Sequence, residues 1–166
     1  IENAKTVHAA GLSYQTTDVS NCSNTGKISL NCTLPNGSAS DDNFLSALVC
    51  RAVDGAVSDC VNGDEKDRTK GCLELSANAA ISGKLRVSLF PHTISGDATN
   101  ITNYGDIKVL GSTGYTFYLG SLSTYGPQNN KKFENVVNYG NITVSGRIGD
   151  PAIKGYNNGA DCFIGG

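Results

Sequence analysis

The segment Asn100-Ile-Thr-Asn-Tyr-Gly-Asp-Ile-Lys-Val-Leu-Gly111 returns with few changes as Asn135-Val-Val-Asn-Tyr-Gly-Asn-Ile-Thr-Val-Ser-Gly146. Two more degenerate copies precede it: Asn21-Cys-Ser-Asn-Thr-Gly-Lys-Ile-Ser-Leu-Asn-Cys32, and Asp59-Cys-Val-Asn62 followed, after a charged insertion, by Gly71-Cys-Leu-Glu-Leu-Ser-Ala77. A motif that recurs along a chain is typical of folds in which structural units stack on their neighbours.

A second segment recurs between these copies. It is found as Val7-His-Ala-Ala-Gly-Leu12, Phe44-Leu-Ser-Ala-Leu-Val49, Leu85-Arg-Val-Ser-Leu-Phe90, Phe117-Tyr-Leu-Gly-Ser-Leu122 and Cys162-Phe-Ile-Gly-Gly166. The first segment alternates apolar and polar residues, which predicts a strand with one buried face, and the second carries apolar or small residues at recurring positions. We therefore predict two strands per unit.

Aligning the copies predicts six inward-facing columns of residues. Three columns belong to the segment that begins at Val7 and to its copies. They are Val7, Phe44, Leu85, Phe117 and Cys162; Ala9, Ser46, Val87, Leu119 and Ile164; and Leu12, Val49, Phe90 and Leu122. The other three columns belong to the segment that begins at Asn21 and to its copies. They are Cys22, Cys60, Ile101 and Val136; Ile28, Leu73, Ile107 and Ile142; and Leu30, Leu75, Val109 and Val144.

The predicted fold is all-β, a parallel β-helix (β-solenoid) of about four irregular repeats with loops rich in Gly, Asn and Ser. Residues 1–166 would form one domain or a segment of a longer array, with copies near 7–32, 44–77, 85–111 and 117–146 and a partial copy at 162–166. The alternative is an antiparallel sandwich, which also uses many short strands and Gly-rich turns but gives no reason for the repeat.

The composition argues against some classes of function. The formal net charge is −2 and the basic residues are scattered, so we expect no nucleic-acid partner. No apolar run is long enough for a membrane span, which predicts a chain that does not insert into the bilayer. The chain opens at Ile1, so we expect a processed product or an excised piece.

The six cysteines predict an oxidising environment, because none forms a Cys-x-x-Cys pair or is grouped with His. Cys22 and Cys60 share a predicted inward column on neighbouring units, where a strand separation of about 4.8 Å suits a disulfide, so we predict that pair. Cys32, Cys50, Cys72 and Cys162 have uncertain partners: two further bridges, buried thiols, or, for Cys162, a link to another chain or to further residues.

Asn-x-Ser/Thr sequons occur at Asn21, Asn31, Asn36, Asn100 and Asn141, and these are candidate glycosylation sites in a secreted protein. Secretion to the extracellular space or the cell surface is therefore the expected localisation. Tyr104 and Tyr139 hold the same repeat position, so their rings are expected to stack, either as a structural ladder or as a platform facing a sugar.

No catalytic or cofactor site is predicted. His8 and His92 are far apart, and no Gly-x-Ser-x-Gly motif is present. The cluster Asp64-Glu65-Lys66-Asp67-Arg68, with Asp59, could offer oxygen ligands to Ca²⁺, but its charges are interleaved and lack calcium-loop spacing. A solvated loop is the favoured interpretation, as it is for Asp41-Asp42.

The order of the two segments, clearest over 117–146 and at 162–166, resembles the GLUG-type repeats of large bacterial and protist surface proteins. The resemblance weakens before Asn100, where Ser46, Ala47, Ser88 and Leu89 replace the motif's glycines. It implies a non-enzymatic structural module of a surface stalk with an adhesive role. A solenoid normally needs a polar cap at each end and the sequence shows none, so the expected partners are further copies stacked head to tail into a filament, or flanking repeats of the same chain. The rival hypothesis is a carbohydrate-binding or polysaccharide-lyase-like β-helix module, which would need carboxylates gathered along one groove.

Overall fold

The computed structural model describes residues 8–31, 42–81, 84–90, 93–113, 116–120, 122–123, 130–147 and 162–165 of the 166-residue chain. These residues form strands and connections, with no helix among them. The strands are β1 (His8–Ala10), β2 (Ser13–Thr16), β3 (Val19–Ser20), β4 (Ser23–Asn24), β5 (Ile28–Leu30), β6 (Asp42–Ser46), β7 (Val49–Val53), β8 (Val57–Asn62), β9 (Leu73–Ile81), β10 (Lys84–Ser88), β11 (Thr93–Ile94), β12 (Ala98–Asn103), β13 (Ile107–Thr113), β14 (Phe117–Gly120), β15 (Phe133–Asn138), β16 (Ile142–Ser145) and β17 (Cys162–Gly165).

The strands form four sheets. Sheet I has the order β1-β6-β10-β14-β17, sheet II β11-β7-β2, sheet III β15-β12-β8-β3 with β4 also on β8, and sheet IV β16-β13-β9-β5. Every pairing between these strands is parallel, which excludes the antiparallel sandwich for the described residues. The chain is thus all-β with parallel sheets, as the repeat predicted.

Each repeat copy contributes strands to successive sheets. We define unit 1 as β1–β5, unit 2 as β6–β9, unit 3 as β10–β13 and unit 4 as β14–β16, while β17 adds a fifth strand to sheet I. The prediction of two strands per unit was wrong. The segment at residues 100–111 and its copies, predicted as one strand, form separate strands in sheets III and IV, and the prediction also missed sheet II. Its strands β2, β7 and β11 lie between the two recurring segments and share no motif, so nothing in the sequence marked them as equivalent.

The predicted columns of sheets III and IV are confirmed by the register. Ile28, Leu73, Ile107 and Ile142 lie side by side, as do Leu30, Leu75, Val109 and Val144. Ile101 lies between Cys60 and Val136. In units 2 and 3 the inward residues of these columns are fully buried or nearly so, and they form much of the core.

The predicted columns of sheet I were wrong by one residue in unit 2. Leu85 and Phe117 align with Asn43, not Phe44, and Val87 aligns with Leu45, not Ser46. The third column is also shifted, since Ser13 rather than Leu12 pairs with Val49. Alternation misleads here because both faces of the sheet are covered: Leu85, Arg86, Val87 and Ser88 are all buried, so consecutive residues carry no inside-outside signal.

Candidate functional site

An asparagine ladder crosses all four units on the inner side of one corner. The Nδ2 of Asn24 donates to Oδ1 of Asn62 at 2.8 Å, Asn62 to Asn103 at 2.7 Å, and Asn103 to Asn138 at 2.7 Å. Each Nδ2 also donates to a glycine carbonyl at its own corner: Gly26, Gly71, Gly105 and Gly140 respectively. We call these four residues the inner ladder; they satisfy backbone carbonyls that strand pairing leaves over.

A second ladder follows the outer side of sheet III. The Nδ2 of Asn100 donates to Oδ1 of Asp59 at 2.9 Å, and that of Asn135 to Oδ1 of Asn100 at 3.1 Å. These residues and Asn21, at the equivalent position of unit 1, all have positive φ, between 52° and 54°. Asn and Asp tolerate this left-handed conformation better than other non-glycine residues, which explains their recurrence at the first position of the motif. We call this set the outer ladder.

Glycines allow the corners of successive units to approach closely. A Cβ on Gly105 would lie 2.5 Å from the carbonyl carbon of Gly71, and one on Gly96 would lie 2.5 Å from the carbonyl of Gly55. No side chain fits between the units at these points. The glycines of the Asn-x-Gly motif in units 3 and 4, Gly105 and Gly140, are therefore required by contact with the preceding unit.

The two repeat tyrosines stack as expected. The ring centroids of Tyr104 and Tyr139 are 5.3 Å apart and the planes differ by 9°. Tyr139 is 53% exposed, and Arg68 of the charged insertion donates to its backbone carbonyl. The pair forms a small aromatic surface whose outer ring faces solvent.

The charged insertion is held by its own side chains. Lys70 bonds Asp64 at 2.9 Å, and this contact lowers the pKa of Asp64 and raises that of Lys70. Hydrogen bonds from the hydroxyl and backbone of Thr69 lower the pKa of Asp67. Within the described residues no cluster of three His, Cys, Asp or Glu side chains could hold a metal ion, and Glu65 lies exposed. The predicted solvated loop fits these contacts.

Cys22, Cys60 and Cys72 carry free thiols in the structure, so the Cys22–Cys60 disulfide is not formed here. The two cysteines do face each other on neighbouring units, since Ser23 and Val61, the next residues along, are paired. Burial raises the pKa of both Cys60 and Cys72. The bridge stays a prediction for the oxidised chain. Cys32, and the side chains of Cys50 and Cys162, lie outside the described residues.

The sequon asparagines differ in their surroundings. Asn21, Asn31, Asn100 and Asn141 are exposed, and Asn36 lies outside the described residues. The Asn100 amide is bonded through both atoms in the outer ladder, whereas Asn141 uses its backbone N–H to bond Asp106. Glycosylation stays a prediction at all five.

Of the two histidines, only His8 lies within the described residues. His8 packs against the rings of Tyr14 and Phe44, with centroids 5.3 and 4.9 Å away. His92 and Asp41 lie outside the described residues. No helix long and apolar enough to cross a bilayer occurs in the part of the chain that the structure describes.

Both ladders were missed from the sequence, although the signal was present. Asn24, Asn62, Asn103 and Asn138 recur at one motif position in all four copies, and a polar residue repeated in this way predicts hydrogen bonding between units. Comparison with protein families, with curated proteins and with solved structures finds no match.

Proposed function

We propose that this chain is a non-catalytic structural module of an extracellular fibre or surface stalk, coiled as a parallel β-helix of about four units. The observation that carries the proposal is the pair of amide ladders through parallel sheets. Stacked amides of this kind stiffen cross-β assemblies. Here the most repeated side chains bond to each other and to backbone, which suits a scaffold.

The resemblance to GLUG-type surface repeats supports the same role, and sequons and cysteines support secretion. Adhesion would use the variable connections between units. The interleaved charges of residues 64–70 neutralise one another, which argues against a carboxylate groove for sugar hydrolysis.

A carbohydrate-binding role is the second candidate, and the stacked Tyr104–Tyr139 pair favours it. Exposed aromatic rings suit the apolar faces of sugars. The test is calorimetric titration of the chain with neutral and acidic polysaccharides, together with an assay for release of reducing ends. We expect neither binding nor release. Saturable binding that Tyr139→Ala removes, or release of product, would replace the structural proposal with the carbohydrate one.

Glycosylation can be tested on two identical sequons. Asn100 and Asn141 both begin Asn-Ile-Thr, but only Asn100 is bonded through both amide atoms. Because the acceptor nitrogen must be accessible, we expect higher glycan occupancy at Asn141 than at Asn100 when a eukaryotic cell secretes the chain, as measured by peptide mass spectrometry. Asn135→Ala, which removes one ladder bond, should raise occupancy at Asn100. Equal occupancy that this variant leaves unchanged would contradict the expectation.

A further inference from the structure

The core is open at the outer edge of unit 4. Phe133 pairs with Ala98, which in turn pairs with Val57, so the three residues form one column. Ala98 and Val57 are fully buried, but Phe133 is 43% exposed. Val144 is 36% exposed, although its neighbour Val109 is buried. In the described part of the chain, no strand pairs with the far side of β15 or β16. Core positions therefore reach solvent beside an unpaired parallel edge.

Exposed apolar side chains are confined to the two outer units. All the large ones in the described residues lie in unit 1 or unit 4: Leu12, Tyr14, Phe133, Val137, Tyr139 and Val144. Units 2 and 3, which have a neighbour on both sides, expose none of this kind. The distribution indicates that unit 4 lacks the covering that a further unit would supply; at unit 1 Leu12 and Tyr14 are exposed, whereas the core residues Val19 and Leu30 are buried.

The two outer edges offer complementary hydrogen-bonding groups. In the inner ladder donation runs from unit 1 to unit 4, so Asn138 ends with one amide N–H beyond its bond to Gly140. At unit 1 the Oδ1 of Asn24 accepts from the backbone N–H of Gly26 at 3.2 Å and has a second lone pair for another donor. In the outer ladder each amide N–H donates toward unit 1. Asn135 therefore presents its Oδ1 as an acceptor at the edge of unit 4, and Asn21 holds the equivalent amide at the edge of unit 1. Unit 1 placed on unit 4 would extend both ladders with donors meeting acceptors.

Shape also matches. A cavity of about 290 Å³ lies at unit 1, lined by Leu12, Val19, Cys22 and neighbours. Val19 begins the column that runs through Val57 and Ala98 to Phe133. In a stack that keeps the register, Phe133 would stand directly beside Val19, where this cavity offers room for its ring.

We infer that the partner of this edge is a second copy of the chain, stacked head to tail with β3–β5 of one copy against β15 and β16 of the other. The inference rests on the proposed β-helix and names its partner and register. Such a contact is heterologous and does not close, so it propagates into a filament.

The stack requires an exchange of strands in sheet I. β17 pairs with β14 at the position that the incoming β1 would take, so both cannot remain. β1 has only three residues and pairs with β6 through His8, Ala9 and Ala10. β17 would replace it beside β6 of the incoming copy, with Ile164 at the position of Ala9. β1 thus acts as an internal competitor of assembly.

Introduced cysteines test the register. Ser29, Glu74, Lys108 and Thr143 form one column of sheet IV, so the stack places Thr143 of one copy beside Ser29 of the next. Equimolar Thr143→Cys and Ser29→Cys chains are mixed, oxidised gently and analysed by peptide mass spectrometry for a disulfide between the introduced thiols. The matched control replaces Thr143→Cys with Lys108→Cys, which lies in the same column but has a neighbour on both sides. The unmodified chain gives the background from native cysteines.

We expect the linked species with Thr143→Cys and not with Lys108→Cys. Deletion of residues 1–10 should lower the concentration for half-assembly about tenfold, while Phe133→Asp should raise it by a similar factor. Thr143→Cys chains linking to one another, or monomers at all concentrations in sedimentation, would overturn the inference. A monomer that binds no sugar would still leave the proposed structural role in place, so the two failures are distinguishable.

Discussion

Gly105→Ala is expected to lower the free energy of unfolding by about 3 kcal/mol, the upper part of the range for overpacking a close contact. The added methyl would lie 2.5 Å from the carbonyl carbon of Gly71, closer still to its oxygen, and 2.9 Å from Nδ2 of Asn62. The first obstacle is backbone of the neighbouring unit, which cannot rotate away as a side chain would. Relief requires units 2 and 3 to separate, and separation would stretch the Asn62–Asn103 bond.

Gly26→Ala is the matched control. Gly26 holds the equivalent corner of unit 1, but there the new methyl would meet only Oδ1 of Asn24, at the ordinary distance of 3.5 Å. In the unassembled chain we expect a change within about 0.5 kcal/mol, as for an exposed substitution. Both variants are measured by urea unfolding followed by circular dichroism. Similar losses for the two would show that intrinsic glycine conformation, rather than contact between units, sets the requirement.

The sequence predicted the sheets that its motif covers. Columns such as Ile28, Leu73, Ile107 and Ile142 were placed correctly because one face of each strand is apolar and the other polar. The prediction for sheet I failed because Phe44 is buried against His8, outside the main core cluster, while Leu45 beside it is buried within that cluster. When both faces of a strand are covered, hydrophobicity does not fix the register, and only the pairing of backbones does.

The ladders show a different limit. Apolar columns were sought because burial is the strongest sequence signal, and the recurring asparagines were treated as turn residues or sequons. Their role depends on direction: each amide donates to its own corner and to one neighbouring unit, a geometry that residue type alone does not specify. A further candidate, the tyrosine pair, was predicted because two aromatic residues at one repeat position on adjacent strands have few ways to avoid contact.

Asn103→Ala is expected to cost about 4 kcal/mol in free energy of unfolding, because three buried or half-buried groups lose partners at about 1–3 kcal/mol each, with partial relaxation. Those groups are the carbonyl of Gly105, the Nδ2 of Asn62 and the Oδ1 of Asn138. Asn103 itself is fully buried, so water does not replace these bonds without opening the corner. Asn138→Ala is the control: that residue is half-buried at the end of the ladder, and we expect a loss of about 1–2 kcal/mol.

Asn103→Asp separates loss of hydrogen bonding from loss of volume. The introduced carboxylate keeps the size of the amide and can still accept from Asn62, but it cannot donate to Gly105 or Asn138. Burial favours its neutral form, which raises its pKa in the folded state above the unfolded value. The folded state then binds the proton more tightly, so stability should rise as pH falls through the folded pKa, opposite to the usual trend for a paired acid. Urea unfolding of this variant across pH, compared with the unmodified chain and with Asn103→Ala, gives the result. A difference between Asn103→Asp and the unmodified chain that does not change with pH would mean that folding leaves the pKa of the introduced carboxyl unshifted and that the corner admits water; a difference that is also close to zero would mean that the ladder contributes little to stability.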